Sequence, residues 1–250
     1  MITVKSPREL ELMADAGKIV GDVLAMLKTR VVAGVSTWDL DREAEAFIRG
    51  HSGAKPSFKG LYGFPASLCT SINAEVVHGI PSKKRVLKDG DIVSIDVGAC
   101  VGGLHADSAI TVACGGAKPD AARLLDTTQR ALQAGIAAAK AGAHVGDIGH
   151  AVQQVAETAG YSVVRELVGH GIGTSFHEEP QVPNFGTPGR GPRLAAGMTI
   201  AIEPMVNVGR PDIRTLSDRW TVVTADGSLS AHFEHTVAIT ENGARVLTAA

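Results

Sequence analysis

No run in the 250 residues approaches the ~18 consecutive apolar side chains that a membrane-spanning helix needs. The segment Met1 to Leu10 has no apolar stretch of the secretory kind and carries Lys5, Arg8 and Glu9, which excludes a signal peptide. Cysteine is scarce. Cys69, Cys100 and Cys114 are an odd set with no CxxC spacing, which argues against a disulfide framework or a zinc ribbon and fits a reducing compartment, so a cytoplasmic location is expected. Charge of one sign is also lacking. Lys and Arg number 24 against 26 Asp and Glu, a net −2 that gives no broad attraction to nucleic acid or to an anionic membrane. No stretch rich in Pro, Gly or Ser splits the chain, and one domain over residues 1–250 is expected. None of the contiguous zinc motifs such as HExxH is present.

What is present is ordinary for a globular chain with one large core: 44% hydrophobic and 20% charged residues. Ser6-Pro7-Arg8-Glu9 combines a capping box with proline at the first helical position. Behind it Leu10, Met13, Gly17, Val20, Leu24 and Leu27 recur at spacings of three and four, an amphipathic helix. Further helices are expected from Thr37 to about Arg49, within 119–140 and within 146–159, with short β-branched strands between turn residues elsewhere.

The chain also repeats itself. Ala33-Gly34-Val35 with Asp39-Leu40 is matched 108 positions later by Ala141-Gly142-Ala143 with Asp147-Ile148. Gly90-Asp91-Ile92-Val93-Ser94-Ile95-Asp96 is matched 107 positions later by Gly197-Met198-Thr199-Ile200-Ala201-Ile202-Glu203. Either Ala- and Gly-rich helix ends resemble each other by chance, or the chain has two related halves, roughly 1–115 and 116–250. In the second case Asp96 and Glu203 are equivalent carboxylates on a shared seam, where ligand sites tend to form.

Residues 92–97 and 105–112 read as a hairpin around Gly102-Gly103. A hairpin symmetric about positions 101 and 102 sets Asp96 directly opposite Asp107, with Cβ atoms roughly 4.5–5.5 Å apart. Two such carboxylates among apolar neighbours call for a cation, a shared proton or a nearby arginine, unless one of them is an exposed turn residue. Glu203 closes an apolar strand and on that ground alone could be emerging into solvent. Glu234 shares a strand face with His232 and Thr236, and a turn at Asp226-Gly227 places Trp220 opposite Phe233. His170, His177 and His78 lie in glycine-rich or loop-like surroundings that suit either an accessible ligand or a plain surface residue. His51, His105, His144, His150, His232 and His235 are taken as structural. Four carboxylates and a histidine from both halves have the composition of a two-metal site suited to Mn(II), Fe(II), Co(II) or Mg(II) at least as well as zinc.

The order Asp96, Asp107, His170, Glu203, Glu234 resembles the ligand series of the "pita-bread" metallopeptidases. Ser71-Ile72-Asn73 leading to His78-Gly79-Ile80-Pro81, then Gly169-His170-Gly171-Ile172-Gly173, His177-Glu178-Glu179-Pro180 and Glu203-Pro204-Met205, is similar to the type I methionine aminopeptidase family over nearly the whole chain. Only 25 residues separate His177 from Glu203, which leaves no room for the helical insertion of type II members and resembles the compact bacterial form.

The resemblance implies an α+β pita-bread fold: pseudo-two-fold halves, a curved, mainly antiparallel central sheet and helices on its outer face. It implies two divalent ions, Co(II), Mn(II), Fe(II) or similar, with Asp96 chelating one, Asp107 and Glu234 bridging, and His170 and Glu203 on the second. Glu203 would also handle the proton of a metal-bridged hydroxide. His78 would contact the scissile peptide nitrogen, and His177 would steady the oxyanion. Phe58, Leu61, Phe64, Cys69, Phe176 and Trp220 would line the methionine pocket. Some relatives carry Cys, Tyr and Tyr at the first three of these positions, and Cys69 equally fits a purely packing role. The implied reaction removes the initiator methionine from nascent chains with a small second residue. A transient ribosome contact and a monomeric state are family-based expectations, and no membrane partner or nucleic-acid site is expected. The alternatives are a proline-specific peptidase of the same fold and a binding module without catalysis.

Overall fold

The computed structural model describes residues 2–249, so Met1 and Ala250, the two ends of the expected single domain, lie outside it. Helix α1 (Pro7–Lys28) starts where expected, because Glu9 accepts from the Ser6 amide (2.7 Å) while Ser6 Oγ accepts from the Glu9 amide (3.4 Å). Ser36 and Asp39 form the same reciprocal pair ahead of α2 (Thr37–Gly50). In the second half α3 (Pro119–Ala138) begins at a proline, and α4 (Val145–Thr158) is capped by Asp147 accepting from the His144 amide at 2.7 Å. The Ser36–Asp39 and His144–Asp147 caps stand 108 positions apart, the spacing of the repeated words.

The strands are β1 (Lys55–Pro56), β2 (Leu68–Ile72), β3 (Glu75–Val77), β4 (Ile92–Val101), β5 (Leu104–Ala113), β6 (Ser162–Val163), β7 (Gly169–Gly171), β8 (Glu178–Val182), β9 (Thr199–Ile202), β10 (Met205–Asn207), β11 (Ile213–Thr215), β12 (Val222–Thr224), β13 (Ser230–His232), β14 (Glu234–Thr240) and β15 (Gly243–Val246). The main sheet has nine strands in the order β1-β4-β5-β14-β9-β7-β8, with β2 on β4 and β15 on β14, every pair antiparallel. Two small sheets, β13-β10-β6 and β11-β12-β3, flank it.

Strand parity decides which side chains meet the helices. Val93, Ile95, Val97 and Ala99 of β4 pack with Val20, Leu24 and Leu27 of α1 and Leu40 and Ile48 of α2. Ile200, Ile202, Val237 and Ile239 form the corresponding layer with Leu132 of α3 and Ile148 of α4. Alternation then turns Asp96 and Gly98 of β4, Asp107 and Ala109 of β5, Glu234 and Thr236 of β14, and His170 of β7 to the opposite, helix-free face. Glu203 follows β9 on the same side as Ala201.

Two expected registers differ. The β4–β5 turn is centred on Gly102-Gly103, both at positive φ, with Val101 paired to Leu104. Asp107 therefore faces Gly98, and Asp96 faces Ala109, so the two aspartates are diagonal rather than opposite neighbours. Likewise Trp220 is not opposite Phe233. β12 pairs with β3 and β11, whereas β13 pairs with β10, so the chain on either side of Asp226-Gly227 enters different ladders. Both sides are drawn to the left-handed corner at Asn73 (φ 56°): the Thr224 amide donates to Ala74 O and the Ser230 amide to Asn73 O, each at 2.9 Å.

Candidate metal and substrate site

A cavity of about 150 Å³ opens on the helix-free face, lined by Phe58, Leu61, Tyr62, Phe64, Cys69, His78, Asp96, Asp107, His170, Phe176, His177, Glu203, Trp220 and Glu234. Every residue singled out in the sequence for the metal, catalytic and pocket roles lines this one space. Its two ends are chemically distinct, one of carboxylates and imidazoles, the other of aromatic and aliphatic groups.

At the polar end, ligand atoms of Asp107, His170 and Glu234 lie within 4.8 Å of one another, and all three side chains are buried. Asp107 is held by Thr236, whose hydroxyl donates to Asp107 Oδ1 (2.8 Å) and accepts from the Asp107 amide (3.0 Å). Ladder bonds between β5 and β14 are confined to Glu234↔Ala109 and His235↔Ser108, so this threonine ties the strands where they part. The His170 Nδ1 is 2.8 Å from Gly171 O, and a carbonyl only accepts, so Nδ1 carries a proton and Nε2 is the nitrogen turned to the cavity. His170 Nε2 is 3.5 Å from Asp107 Oδ2 and 3.7 Å from Glu203 Oε1. Asn184 Nδ2 donates to the backbone carbonyl of Glu203 at 3.1 Å, fixing the turn that presents the glutamate.

The electrostatics are those of a cation site. Burial, then repulsion from Asp107 and Glu203, pushes the Asp96 carboxyl well above the ordinary carboxylate range. Burial and the neighbouring acids do the same to Glu234, and burial raises Glu203 to about 8. Burial opposes ionisation of Asp107 as well, but the bond and charge of His170 and the Thr236 hydroxyl outweigh it and leave its pKa lowered. Against its own burial, Asp107 and Glu203 pull the His170 pKa up to about 9. Asp96 Oδ1 is buried without a hydrogen-bond partner. An orphaned carboxylate oxygen among further acids, in excess of the cationic groups beside them, is the donor set that a divalent cation satisfies.

Glu203 is not emerging into solvent; its side chain is only 14% exposed. His232, taken as structural from the sequence, belongs to this end: its Nε2 is 3.6 Å from Glu203 Oε2, and neither ring nitrogen has a hydrogen-bond partner. Its shared parity with Glu234 was the available signal. Burial lowers its pKa to about 3.

The apolar end is an aromatic box. Phe58 meets Phe176 edge-to-face at 5.3 Å, and Phe64 meets Trp220 at 5.0 Å, which gives Trp220 a pocket role that does not depend on Phe233. A Cβ on Gly98 would stand 2.9–3.1 Å from Ser57, Phe58 and Phe176, so glycine here lets the box close over β4. The Cys69 thiol is buried at the floor, where burial and the nearby Asp96 push its pKa up, away from thiolate chemistry.

His78 and His177 stand at the junction of the two ends. His78 adopts φ 60°, a left-handed conformation rare outside glycine, and Gly79 beside it leaves no room for a Cβ, which would fall 2.1 Å from Thr70 O. Burial lowers the His78 pKa. His177 sits at the rim with its ring 4.4 Å from that of His170, and partial burial together with that neighbour lowers its pKa. Stacked on it at 5.7 Å is Tyr62, which sequence reasoning did not single out.

A two-sided cleft, with carboxylates and imidazole on one wall and an aromatic box on the other, defines a class of hydrolytic metalloenzyme that grips one apolar side chain. The profile of metallopeptidase family M24 matches residues 11–241. The chain is 55% identical to the methionine aminopeptidase of Clostridium perfringens, over 99% of both chains, and 52% identical to methionine aminopeptidase 1 of Bacillus subtilis, again over 99% of both. The crystal structure of methionine aminopeptidase from Thermotoga maritima superposes with a TM-score of 0.98 at 45% identity, covering 100% of each chain. The chain belongs to metallopeptidase family M24 and, within it, to the methionine aminopeptidases; its fold is the pita-bread fold.

Proposed function

We propose that the protein removes the N-terminal methionine of new polypeptides whose second residue is small. The observation that carries this is the meeting, in one cavity, of the five-donor set with an aromatic box that offers soft, apolar contacts. Asp96, Asp107, His170, Glu203 and Glu234 would hold two divalent ions, and Co(II), Mn(II) and Fe(II) all suit such an oxygen-rich set. When bound, the ions supply Lewis acidity and a water nucleophile of lowered pKa.

The chain's own residues do the rest. Phe58, Leu61, Phe64, Cys69, Phe176 and Trp220 enclose the methionine side chain with soft, polarisable contacts. Glu203, buried at the polar end beside His170, takes the nucleophile's proton and returns it to the leaving amine. His177 donates to the carbonyl oxygen as charge develops on it, and His78 meets the scissile peptide nitrogen.

We further propose that residues 1–250 act as one domain of two related halves, near 1–115 and 116–250, working as a monomer in the cytoplasm, where free Cys69, Cys100 and Cys114 stay reduced. No described helix is long and apolar enough to cross a membrane. The deciding experiment compares Met-Gly-Met, Met-Ala-Ser and Xaa-Pro peptides with and without a chelator. Chelator-sensitive release of methionine from the first two is expected. Cleavage confined to Xaa-Pro would assign the protein to proline-specific chemistry, and no cleavage of any peptide after Mn(II), Fe(II) or Co(II) is restored would leave a binding module.

A further inference from the structure

Tyr62 is held in an unusual way for a rim residue. Its backbone is left-handed (φ 50°, ψ 19°), a conformation that tyrosine adopts only when its surroundings impose it. A bracket of backbone bonds imposes it here: the Gly60 amide donates to Phe64 O (2.8 Å), the Gly63 amide to Gly60 O (3.2 Å) and the Phe64 amide to Leu61 O (2.8 Å). Gly60 and Gly63 supply the positive φ on either side. The tight loop turns Leu61 and Phe64 into the box and leaves the Tyr62 side chain at the cavity mouth, 72% exposed. So little burial cannot explain a strained tyrosine by packing.

Its specific partner among the described residues is His177. The rings stack nearly parallel, 12° between planes with centroids 5.7 Å apart, and the Tyr62 hydroxyl is 3.3 Å from His177 Nδ1. We propose that Tyr62 is a positioning residue that donates its phenolic hydrogen to His177 Nδ1 and so fixes the imidazole as the Nε2–H tautomer, ring plane set by the stack. This inference rests on the proposed role of His177 as donor to the substrate carbonyl. A neutral imidazole carries one N–H, and whichever nitrogen accepts a hydrogen bond leaves the other to donate. With Nδ1 accepting from Tyr62, Nε2, on the far side of the ring, is the atom that donates into the cavity. The reverse tautomer would aim a lone pair at a developing oxyanion. His170 is oriented in the opposite sense by Gly171 O, which accepts from Nδ1–H and leaves Nε2 as the nitrogen that would give up its proton to hold a metal. Two histidines whose rings stand 4.4 Å apart are thus set in complementary tautomers by two different neighbours, a carbonyl that only accepts and a phenol that can donate.

The test is Tyr62→Phe, which keeps the stack and removes only the hydroxyl. Turnover number is expected to fall about tenfold with KM within about twofold and metal content unchanged, the signature of a bond that matters in the transition state. In the zinc-loaded protein, where no unpaired electrons broaden the signals, the imidazole ¹⁵N resonances of His177, assigned by their loss in His177→Gln, should report Nε2–H in the parent and a tautomer mixture in Tyr62→Phe. Tyr62→Ala should lose the stack as well and fall further. A Tyr62→Phe enzyme with parental turnover, or one whose His177 resonances do not move, overturns the inference. Parental turnover in His177→Gln would instead overturn the assigned role of His177, and the two failures are told apart by that variant alone.

Discussion

A buried carboxylate needs a partner, and the polar end of the cavity has more carboxylates than partners. Thr236 and His170 satisfy Asp107, while Asp96 Oδ1 has none. Replacing Asp107 or Glu234 with Ala removes a donor that two ions would share and should lower metal-dependent turnover on the order of a thousandfold or more. Circular dichroism should stay that of the parent, because neither side chain belongs to the packed layers between sheet and helices, and loss of Glu234 also relieves repulsion among the remaining acids. Near-parental turnover in either variant would contradict the bridging assignment. At this scale the sequence was informative wherever a side chain stood in a distinctive local word. His170 between glycines and Glu203 before proline could be picked out without coordinates. Tyr62 could not, because its importance lies in a left-handed backbone and a stack on a residue 115 positions away. His232 shares strand parity with Glu234, which turns it toward the site, but no distinctive word surrounds it.

Elements were legible where local chemistry fixes them and misread where distant pairing does. The helix starts followed from Ser6/Glu9 and from the residues around Asp39 and Asp147, whose bonds span three residues. The β4–β5 register differs from the sequence expectation by two residues, because two consecutive glycines at positive φ, Gly102-Gly103, meet the demand of a tight hairpin turn and centre it on themselves. The pairing of β12 with β3 had no local sign at all. A further tie invisible in the sequence joins the segment before α1 to the entry of β8. Lys5 Nζ lies 2.7 Å from Glu178 Oε2, with side chains only 5% and 9% exposed, and Glu178 also accepts from Thr3 Oγ1 (2.6 Å) and the Ser175 amide (3.2 Å). Gly173 is glycine because a Cβ there would strike this pair, 2.4 Å from Lys5 Cε and 2.6 Å from Glu178 Oε1. Glu178 directly follows His177, so the clamp holds the loop that carries it. Lys5→Met leaves a buried carboxylate uncompensated and should destabilise the protein by about 3 kcal/mol in denaturant titration. Lys5→Met, Glu178→Gln together should recover part of that loss; a single variant within about 0.5 kcal/mol of the parent would show that the pair bears little on stability.

The whole molecule brings together donors from both ends of the sequence, and its stability should therefore depend on what neutralises them. The 107-position echo between residues 90–96 and 197–203 anticipated that Asp96 and Glu203 would face a common space, since each follows the same apolar alternation. The cost of that convergence has a definite sign in the metal-stripped protein. Folding raises the Glu203 pKa from 4.5 to about 8 and that of His170 from 6.5 to about 9, and it raises Asp96 and Glu234 as well. A group raised in this way stabilises the fold fully below its unfolded pKa and loses that contribution as pH climbs through the folded value. Asp107, whose pKa is lowered, contributes above 3.8 and loses its share only in acid. His78, His177 and His232 are lowered from 6.5, so their contribution is complete above that pH and they act against the trend only below it. Between pH 6.5 and 8 the raised groups act alone. Stability of chelator-treated protein should fall across this interval by about 1 kcal/mol or more per pH unit, which for a chain of this size is a Tm lower by several degrees. Mn(II) replaces the lost protons as the neutralising charge and should raise Tm more at pH 8 than at pH 6.5. Thermal unfolding at those two pH values, with and without Mn(II), measures both effects. A metal-stripped protein equally stable at both, or one that gains no more from Mn(II) at pH 8 than at pH 6.5, would mean that the five side chains do not crowd their charges around one centre.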